Sequence, residues 1–341
     1  MTYRESLENA IAEIKEALPG MTFFENEPIS GHCSMRIGGP VRAFAVPSDV
    51  FSLTRICFLL KKNAIAPFIM GNGTNVVFPD EGLDIFVIST EKLQKLWLQE
   101  DGSIYAEAGV SLAKLSQFAQ QNGLAGLEFA SGIPGSVGGG VLMNAGAYGG
   151  EMKDAVRSVV CYQFKDQALY EVMNENCDFT YRHSFFETEN CAILSAVFAL
   201  NPGDPDEIAG KMRELNEKRR QSQPLELPSA GSAFKRPENG YAAALIEQAG
   251  LKGYSVGGVQ VSSKHAGFVV NPGGAGYDEL VELMQHVREE VFKFAGVRLE
   301  PEIKIYPKGM VLVDDSADEE AAAALHRMMD SMKSARGETE D

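Results

Sequence analysis

The chain has 341 residues, with 47 Asp and Glu against 31 Lys and Arg, which gives a formal charge of −16. This excess of acidic side chains argues against a general nucleic-acid binder, because such proteins hold phosphates with Lys and Arg. The length accommodates two or three domains, and an apolar content of 45% is enough to form real cores.

No segment approaches the roughly 20 uninterrupted apolar residues of a membrane helix. The first 16 residues mix charged with apolar side chains, unlike a signal peptide. We therefore expect no membrane insertion and a cytoplasmic location. Five cysteines, without a CxxC pair, argue against a disulfide framework or a structural zinc site, so we expect reduced thiols.

The chain begins with an amphipathic helix and a small βαβ unit. Leu7, Ile11, Ile14 and Leu18 share one helix face, and Pro19-Gly20 ends it. After a loop, a strand at 42–46, a helix capped by Ser48 or Asp49 and a strand at 67–70 follow.

From residue 83 short strands surround one helix. Strands are predicted at 85–89, 93–99, 104–107, 156–164, 169–172 and 192–200. The helix runs from Ser111 to about Asn122, and Gly123 stops it. This pattern indicates an α+β arrangement rather than a regular alternation.

The turn-forming run Asn201 to Pro205 is the clearest boundary along the chain. The elements predicted beyond it are helices at 206–220, 241–249 and 277–295 and strands at 258–262, 267–271 and 298–306. Residues 314–341 hold nine acidic and three basic side chains. We expect a helical fragment or a disordered tail there, compatible with weak association with a partner.

Two glycine-rich loops are the strongest functional signal. Residues 126–150 contain nine glycines, and Gly71 to Asn75 reads GNGTN. Glycine permits positive φ and close approach of the main chain, whose N–H groups can then bind a pyrophosphate. A glycine-rich packing loop is the alternative for 126–150. The first loop lacks the third glycine of a Rossmann fingerprint, and no Walker loop occurs. Together the loops indicate a ligand with a diphosphate.

Seven short motifs follow one another between residues 20 and 307. They are Ser34 to Gly39, Gly71 to Asn75, Gly132 to Gly140 with Asn144 to Gly149, Tyr181-Arg182 with Ser184 and Phe185, Gly231 to Lys235, Gly267 to Asn271, and Leu299 to Glu302. In this order they resemble the UDP-N-acetylenolpyruvoylglucosamine reductases of bacterial peptidoglycan synthesis, the MurB family. The acidic C-terminal segment lies outside the resemblance.

The resemblance implies an α+β fold with a two-part FAD-binding domain of the vanillyl-alcohol oxidase (PCMH) type and a C-terminal α/β substrate-binding domain. The predicted units are FAD-binding subdomains at 1–80 and 81–203, a substrate-binding domain at 204–309 and an acidic extension at 310–341. NADPH is the implied electron donor, and bound FAD passes hydride to UDP-N-acetylglucosamine enolpyruvate, which yields UDP-N-acetylmuramate.

The resemblance also implies a set of cofactor-binding residues. They are Gly71, Asn72, Gly73, Thr74, Asn75, Gly132, Ile133, Pro134, Gly135, Ser136, Gly138, Gly139, Asn144 and Gly146. No histidine lies in either loop, so we expect non-covalent FAD. The five histidines have no ligand spacing, so no metal is predicted.

Three residues match the family's catalytic positions. Hydride addition to an enol ether conjugated to a carboxylate needs a cation or acid at that carboxylate and a proton donor at the α-carbon. Arg182 would hold the carboxylate, Ser232 would donate the proton, and Glu302 would face the carboxylate as a protonated donor, its pKa raised by like-charge repulsion. Tyr181 and Lys235 would bind the UDP-sugar.

Several alternatives remain open at the level of sequence. Arg182 alone fits a surface ion pair and Ser232 a turn residue, while Glu300 shares the predicted strand face of Glu302. A sugar- or hydroxy-acid-oxidising flavoenzyme of the same domain type and a nucleotide-sensing protein are competing functions.

The spacing of the catalytic motifs indicates a branch of the family. Only 50 positions separate Arg182 from Ser232, which resembles the shorter, type II branch. Arg236 replaces the family's usual Asn, so fine substrate contacts should differ. Residues 211–236 hold seven basic and three acidic side chains, a positive segment that suits a UDP-sugar.

Overall fold

The computed structural model describes residues 2–238 and 240–314 of the chain. Its helices are α1 (Tyr3–Ala17), α2 (Val50–Lys62), α3 (Leu112–Gln121), α4 (Val137–Leu142), α5 (Phe185–Thr188), α6 (Pro205–Ser222), α7 (Ala242–Gln248) and α8 (Tyr277–Ala295). Within these residues no helix combines the length and apolarity needed to cross a membrane.

The strands are short and fall into several sheets. They are β1 (Thr22–Pro28), β2 (Pro40–Val46), β3 (Phe68–Met70), β4 (Val76–Val77), β5 (Leu83–Ser89), β6 (Leu96–Leu98), β7 (Ile104–Glu107), β8 (Leu124–Ala125), β9 (Gly146–Ala147), β10 (Gly150–Glu151), β11 (Val156–Gln163), β12 (Ala168–Met173), β13 (Cys191–Phe198), β14 (Asn201–Pro202), β15 (Ser229–Ser232), β16 (Ser255–Val256), β17 (Val259–Val261), β18 (Phe268–Val270) and β19 (Lys304–Ile305).

The first unit is a four-stranded sheet in the order β1-β2-β5-β3, packed on α1 and α2. Strand β1 is antiparallel to β2, whereas β2, β5 and β3 are parallel. The sequence predicted a loop where β1 lies, because this edge strand is largely exposed and lacks a buried alternating face. Since β5 lies between β2 and β3, the sheet extends beyond the predicted boundary at residue 80.

The second unit is a five-stranded antiparallel sheet in the order β12-β11-β13-β7-β6. Helices α3 and α4 bury Leu115 and Val141 in the same core as Phe198 of β13. Helix α4 was not predicted, since Gly138, Gly139 and Gly140 are poor helix formers. The helix forms despite this low propensity because it packs closely on the core. Gly138 permits that approach, since a Cβ there would lie only 3.0 Å from the Cβ of Ala108.

The third unit is a four-stranded sheet in the order β15-β18-β17-β16, packed on α7 and α8. Its core also takes up Met35, Ile37 and Val77 from the first unit. The strand predicted at 298–306 is wrong for its first part, where Pro301 forms an isolated antiparallel bridge with Phe234. Within 298–306 only β19 is a strand, and it pairs in parallel with β4. Pro301 lacks a donor for a sheet ladder, and Glu302 N–H instead donates to the Ala233 carbonyl at 2.9 Å.

Residues 310–314 return to the first unit, where Ala66 N–H donates to the Leu312 carbonyl at 2.9 Å. The predicted acidic extension lies outside the described residues beyond Asp314. The predicted domain boundaries at 80, 203 and 309 stay predictions.

Candidate active site

A turn of the second unit and an extended segment of the third bring Arg182 and Glu302 together. Arg182 Nε donates to Glu302 Oε1 at 2.6 Å, and the two side chains are only 19% and 13% exposed. Arg182 has a φ of +55° in the turn between Thr180 and His183. A left-handed conformation is uncommon for a residue with a side chain, so the turn holds this arginine at a cost in backbone energy.

The main chain of Glu302 joins three parts of the predicted site. Its N–H donates to Ala233 O, and its carbonyl accepts from Asn75 Nδ2 at 3.1 Å. Ser232, one residue before Ala233, therefore lies beside the Glu302 segment. In the described part of the chain the Ser232 hydroxyl makes no hydrogen bond.

The structure distinguishes Glu302 from Glu300. The side chain of Glu300 is 76% exposed, whereas that of Glu302 is 13% exposed. Burial raises the pKa of Glu302 more than Arg182 and Lys235 lower it. The chain itself therefore favours the protonated acid through desolvation, in addition to any repulsion from a substrate carboxylate.

Glu187 on α5 contacts His183, next to Arg182, and Lys304, near Glu302, and was missed by the sequence analysis. Its carboxylate lies 2.9 Å from His183 Nδ1 and accepts from Lys304 Nζ at 2.7 Å. Burial opposes the charged form, but Lys304 and His183 together hold the pKa of Glu187 below its ordinary value. The i,i+4 spacing of His183 and Glu187 was the available sequence signal.

The two predicted glycine loops meet in space. Thr74 Oγ1 donates to the Pro134 carbonyl at 3.2 Å, and a Cβ on Gly71 would lie 2.5 Å from Ser136 Oγ. Gly73 has a φ of +60°, and a Cβ there would overlap the carbonyl oxygen of His32. Gly73 is thus required by close main-chain contact, and Gly71 by close contact with the Ser136 side chain.

Unpaired main-chain donors line these loops. Among the described residues, the N–H groups of Gly71, Asn72, Gly73, Thr74, Asn75, Gly132, Gly135 and Ser136 donate no hydrogen bond. Consecutive free N–H groups of this kind form a nest for an anion. The first loop and the start of the second therefore fit the pyrophosphate of the predicted FAD.

Other residues predicted to bind the cofactor form hydrogen bonds within the protein itself. The N–H groups of Ile133 and Gly138 donate to Ala130 and Ala108, and Gly139 N–H donates to the Ser136 hydroxyl at 3.4 Å. Asn144 is fully buried, and its amide bonds Glu151, Thr180 and Lys153. Gly146 accepts from Arg182 Nη2 at 3.3 Å.

A cavity of about 560 Å³ opens beside the Arg182 side chain. Its lining residues are 146–151, Tyr181, Arg182 and 236–238. Tyr181 Oη accepts from the Arg236 N–H at 3.1 Å, so the second and third units both form its wall. Predicted residues Ser232 and Lys235 are not among the lining residues; Lys235 Nζ lies 3.8 Å from Glu300.

The cysteines and the candidate metal ligands of the described residues form no second reactive or metal-binding site. Burial raises the pKa of Cys33 and Cys177 to about 12, so these thiols stay protonated at neutral pH. Across residues 2–238 and 240–314, no group of three or more His, Cys, Asp or Glu side chains is placed to hold a metal ion.

Comparison with known proteins gives matches over most of the chain. The sequence profile of the UDP-N-acetylenolpyruvoylglucosamine reductase C-terminal domain matches residues 223–306, and that of an FAD-binding domain matches 41–163. The UDP-N-acetylenolpyruvoylglucosamine reductase of Caldanaerobacter subterraneus is 42% identical over 295 residues, 86% of this chain and 97% of the relative. That of a Thermotoga species is 44% identical over 285 residues, 83% and 93% of the two chains.

A solved structure also matches most of this chain. The crystal structure of UDP-N-acetylenolpyruvylglucosamine reductase from Thermus caldophilus superposes with a TM-score of 0.72 at 32% identity, covering 84% of this chain and 99% of that one.

Proposed function

The chain belongs to the UDP-N-acetylenolpyruvoylglucosamine reductase family, and on that premise we propose how its own residues serve the reaction. The activity is NADPH-dependent reduction of UDP-N-acetylglucosamine enolpyruvate to UDP-N-acetylmuramate in peptidoglycan precursor synthesis. When bound, FAD takes hydride from NADPH and supplies it to the enolpyruvyl double bond.

The glycine loops would hold FAD. The free N–H groups of 71–75 and of Gly132, Gly135 and Ser136 would receive its pyrophosphate. Gly138, Gly139, Asn144 and Gly146 would shape the loop that carries these groups, while Ile133 and Pro134 would contact the cofactor.

The Arg182–Glu302 pair, with its 2.6 Å contact, is the observation that supports the assignment best. Nε of Arg182 is engaged by Glu302, which leaves the outer edge of the guanidinium to hold the substrate carboxylate. Burial raises the pKa of Glu302, and in its protonated form Glu302 would donate to the same carboxylate as charge develops there. Both groups would stabilise the enediolate-like charge.

Ser232 would deliver the proton to the α-carbon. Its hydroxyl has no hydrogen-bond partner among the described residues, and its strand is bonded to the Glu302 segment through Ala233. Tyr181, which lines the cavity, and Lys235 would bind the UDP-sugar. The nearby charge of Lys235 would also make the serine hydroxyl a better acid.

Two finer assignments belong to the same proposal. The short spacing of 50 residues between Arg182 and Ser232 supports the type II branch of the family. We also place the enzyme in the cytoplasm, which the use of a nucleotide sugar and NADPH supports.

The decisive experiment follows both half-reactions of the purified full chain under anaerobic conditions. NADPH should bleach the flavin, UDP-N-acetylglucosamine enolpyruvate should restore its absorbance, and the product should gain two hydrogens by mass. UDP-N-acetylglucosamine, which lacks the enolpyruvyl group, is the matched control and should restore nothing. NADPH consumption that is indifferent to the enolpyruvyl substrate would contradict the proposal.

A further inference from the structure

Arg219 is a cation that the proposed mechanism does not use. It lies on α6, whose Asn216 Nδ2 donates to Ser131 Oγ at 3.3 Å. A Cβ on Gly132 would lie 3.1 Å from Arg219 Nε. The arginine therefore rests on the main chain of the second glycine loop.

No acidic side chain of the described residues forms an ion pair with Arg219. Its neighbours on α6 differ, because Lys218 and Arg220 are paired with Glu214 and Glu217. Arg219 Nη1 donates to the neutral Gln223 Oε1 at 3.3 Å, and Tyr148 is a second polar neighbour of the guanidinium. Burial lowers the pKa of Arg219, while Tyr148 acts against that shift. A partly desolvated charge without a counterion is costly, so a ligand anion is its natural partner.

The surroundings of Arg219 also point to an anion. The guanidinium lies 5.8 Å from the centre of the Tyr148 ring, and Tyr148 lines the cavity. Arg219 also contacts Gly132 of the loop whose Gly132, Gly135 and Ser136 N–H groups are unpaired among the described residues. Two arginines that line the cavity have other contacts, because Arg182 is bonded to Glu302 and Arg236 donates to the Gly240 carbonyl and lies over the Tyr241 ring.

We propose that Arg219 binds a phosphate group of a nucleotide ligand where the second glycine loop meets the cavity. The inference rests on the proposed function, which brings two such groups to the site, the pyrophosphate of FAD and the diphosphate of the UDP-sugar. A guanidinium suits either, because its planar donors match phosphate oxygens in pairs.

Arg219→Gln in the full-length holoprotein separates the two sources. One readout is FAD per chain after purification and the rate of FAD release on dilution, followed by flavin fluorescence. The other is UDP affinity by titration calorimetry. Loss of one charge-assisted contact predicts a weakening of about 10- to 100-fold. Arg213→Gln is the matched control, because Arg213 is an exposed arginine on the same helix.

Each result decides the inference. Faster FAD release with UDP affinity unchanged assigns Arg219 to the flavin pyrophosphate, and weaker UDP binding with FAD retained assigns it to the UDP-sugar. If Arg219→Gln matches Arg213→Gln in both readouts, the inference is wrong. Should Arg219→Gln fail to fold, Arg219→Met, which keeps the aliphatic stem, is judged by the same two readouts. Neither readout requires turnover, so a failure of the reductase assay remains distinguishable.

Discussion

Burial decides the chemistry of single residues at this site. Glu302 and Arg182 are both largely buried, and the acid is desolvated more strongly than its partner stabilises the anion. A carboxyl whose pKa is raised stays protonated over a wider pH range, and in that form it can donate a hydrogen bond. The same residue type two positions earlier, Glu300, is exposed to solvent.

Replacing Glu302 should change the pH dependence of catalysis. Burial raises the pKa of Glu302 above 4.5, so its protonated form is lost only as pH rises through that raised value. Reoxidation of reduced flavin by substrate should therefore slow at high pH. Glu302→Gln cannot ionise and should lose this descending limb, whereas the exposed-site control Glu300→Gln should keep it. An unchanged limb in Glu302→Gln would refute the role of Glu302.

Ser232→Ala should separate the two half-reactions. NADPH should bleach the flavin at the wild-type rate, while reoxidation by substrate should slow about 100- to 10,000-fold, the usual contribution of a general acid. Stopped-flow absorbance measures both rates. Ser229→Ala, on the same strand β15, is the control and should leave both rates unchanged. Equal slowing of both steps in Ser232→Ala would mean that the serine is structural.

At the scale of elements, tight contact with neighbouring side chains and main chain explains the glycines of the two loops. Gly71 packs on Ser136 and Gly73 on His32, while Thr74 bonds Pro134, so the loops support each other. Glu187 of α5 likewise joins the segments that carry Arg182 and Glu302, since it contacts both His183 and Lys304. The site is thus built where several short elements meet, and no single element contains it.

Gly73→Ala tests the required contact in the first loop. The new Cβ would overlap His32 O and strain a positive φ, so the free energy of unfolding should fall by about 2–4 kcal/mol, with loss of bound FAD. Gly102→Ala is the control, because Gly102 also has a positive φ, +81°, but open space around it. It should cost about 1 kcal/mol and retain FAD. Equal effects in denaturant titration would show that the close contact is unimportant.

For the molecule as a whole, the third unit is joined to the first by buried polar contacts and a shared core. Asn271 Nδ2 donates to the Met35 carbonyl at 3.0 Å, and Ser34 Oγ donates to the Ser229 carbonyl at 2.6 Å. These bonds hold the strand of Ser232 against the first glycine loop. The overall charge of −16 does not oppose a UDP-sugar, because Arg236, which lines the cavity, forms no ion pair among the described residues.

Asn271→Ala should weaken this junction. Its removal leaves the buried Met35 carbonyl unpaired, so the free energy of unfolding should fall by about 1–3 kcal/mol. Denaturant titration followed by circular dichroism and flavin fluorescence measures the change. The exposed Asn201 provides the control, and Asn201→Ala should stay within about 0.5 kcal/mol of wild type. If both variants behave alike, the Asn271 contact does not join the units.

Local patterns in the sequence predicted the local structure. Asp49 and Ser111 begin α2 and α3 as predicted, and α8 spans its predicted residues. The order of motifs identified the family, which the comparisons confirmed. Such signals act over a few residues, through periodicity, caps and turn chemistry, and can therefore be read directly from the chain.

Only the tertiary structure decided what depends on distant partners. The edge strand β1, helix α4 and the short β19 exist because other segments pair or pack with them, not because of their own propensity. The choice of Glu302 over Glu300 and its contact with Arg182, 120 residues away in sequence, follow from which side chain is buried at the meeting of two units. Burial and long-range hydrogen bonding are properties of the packed chain, so no local pattern could show them.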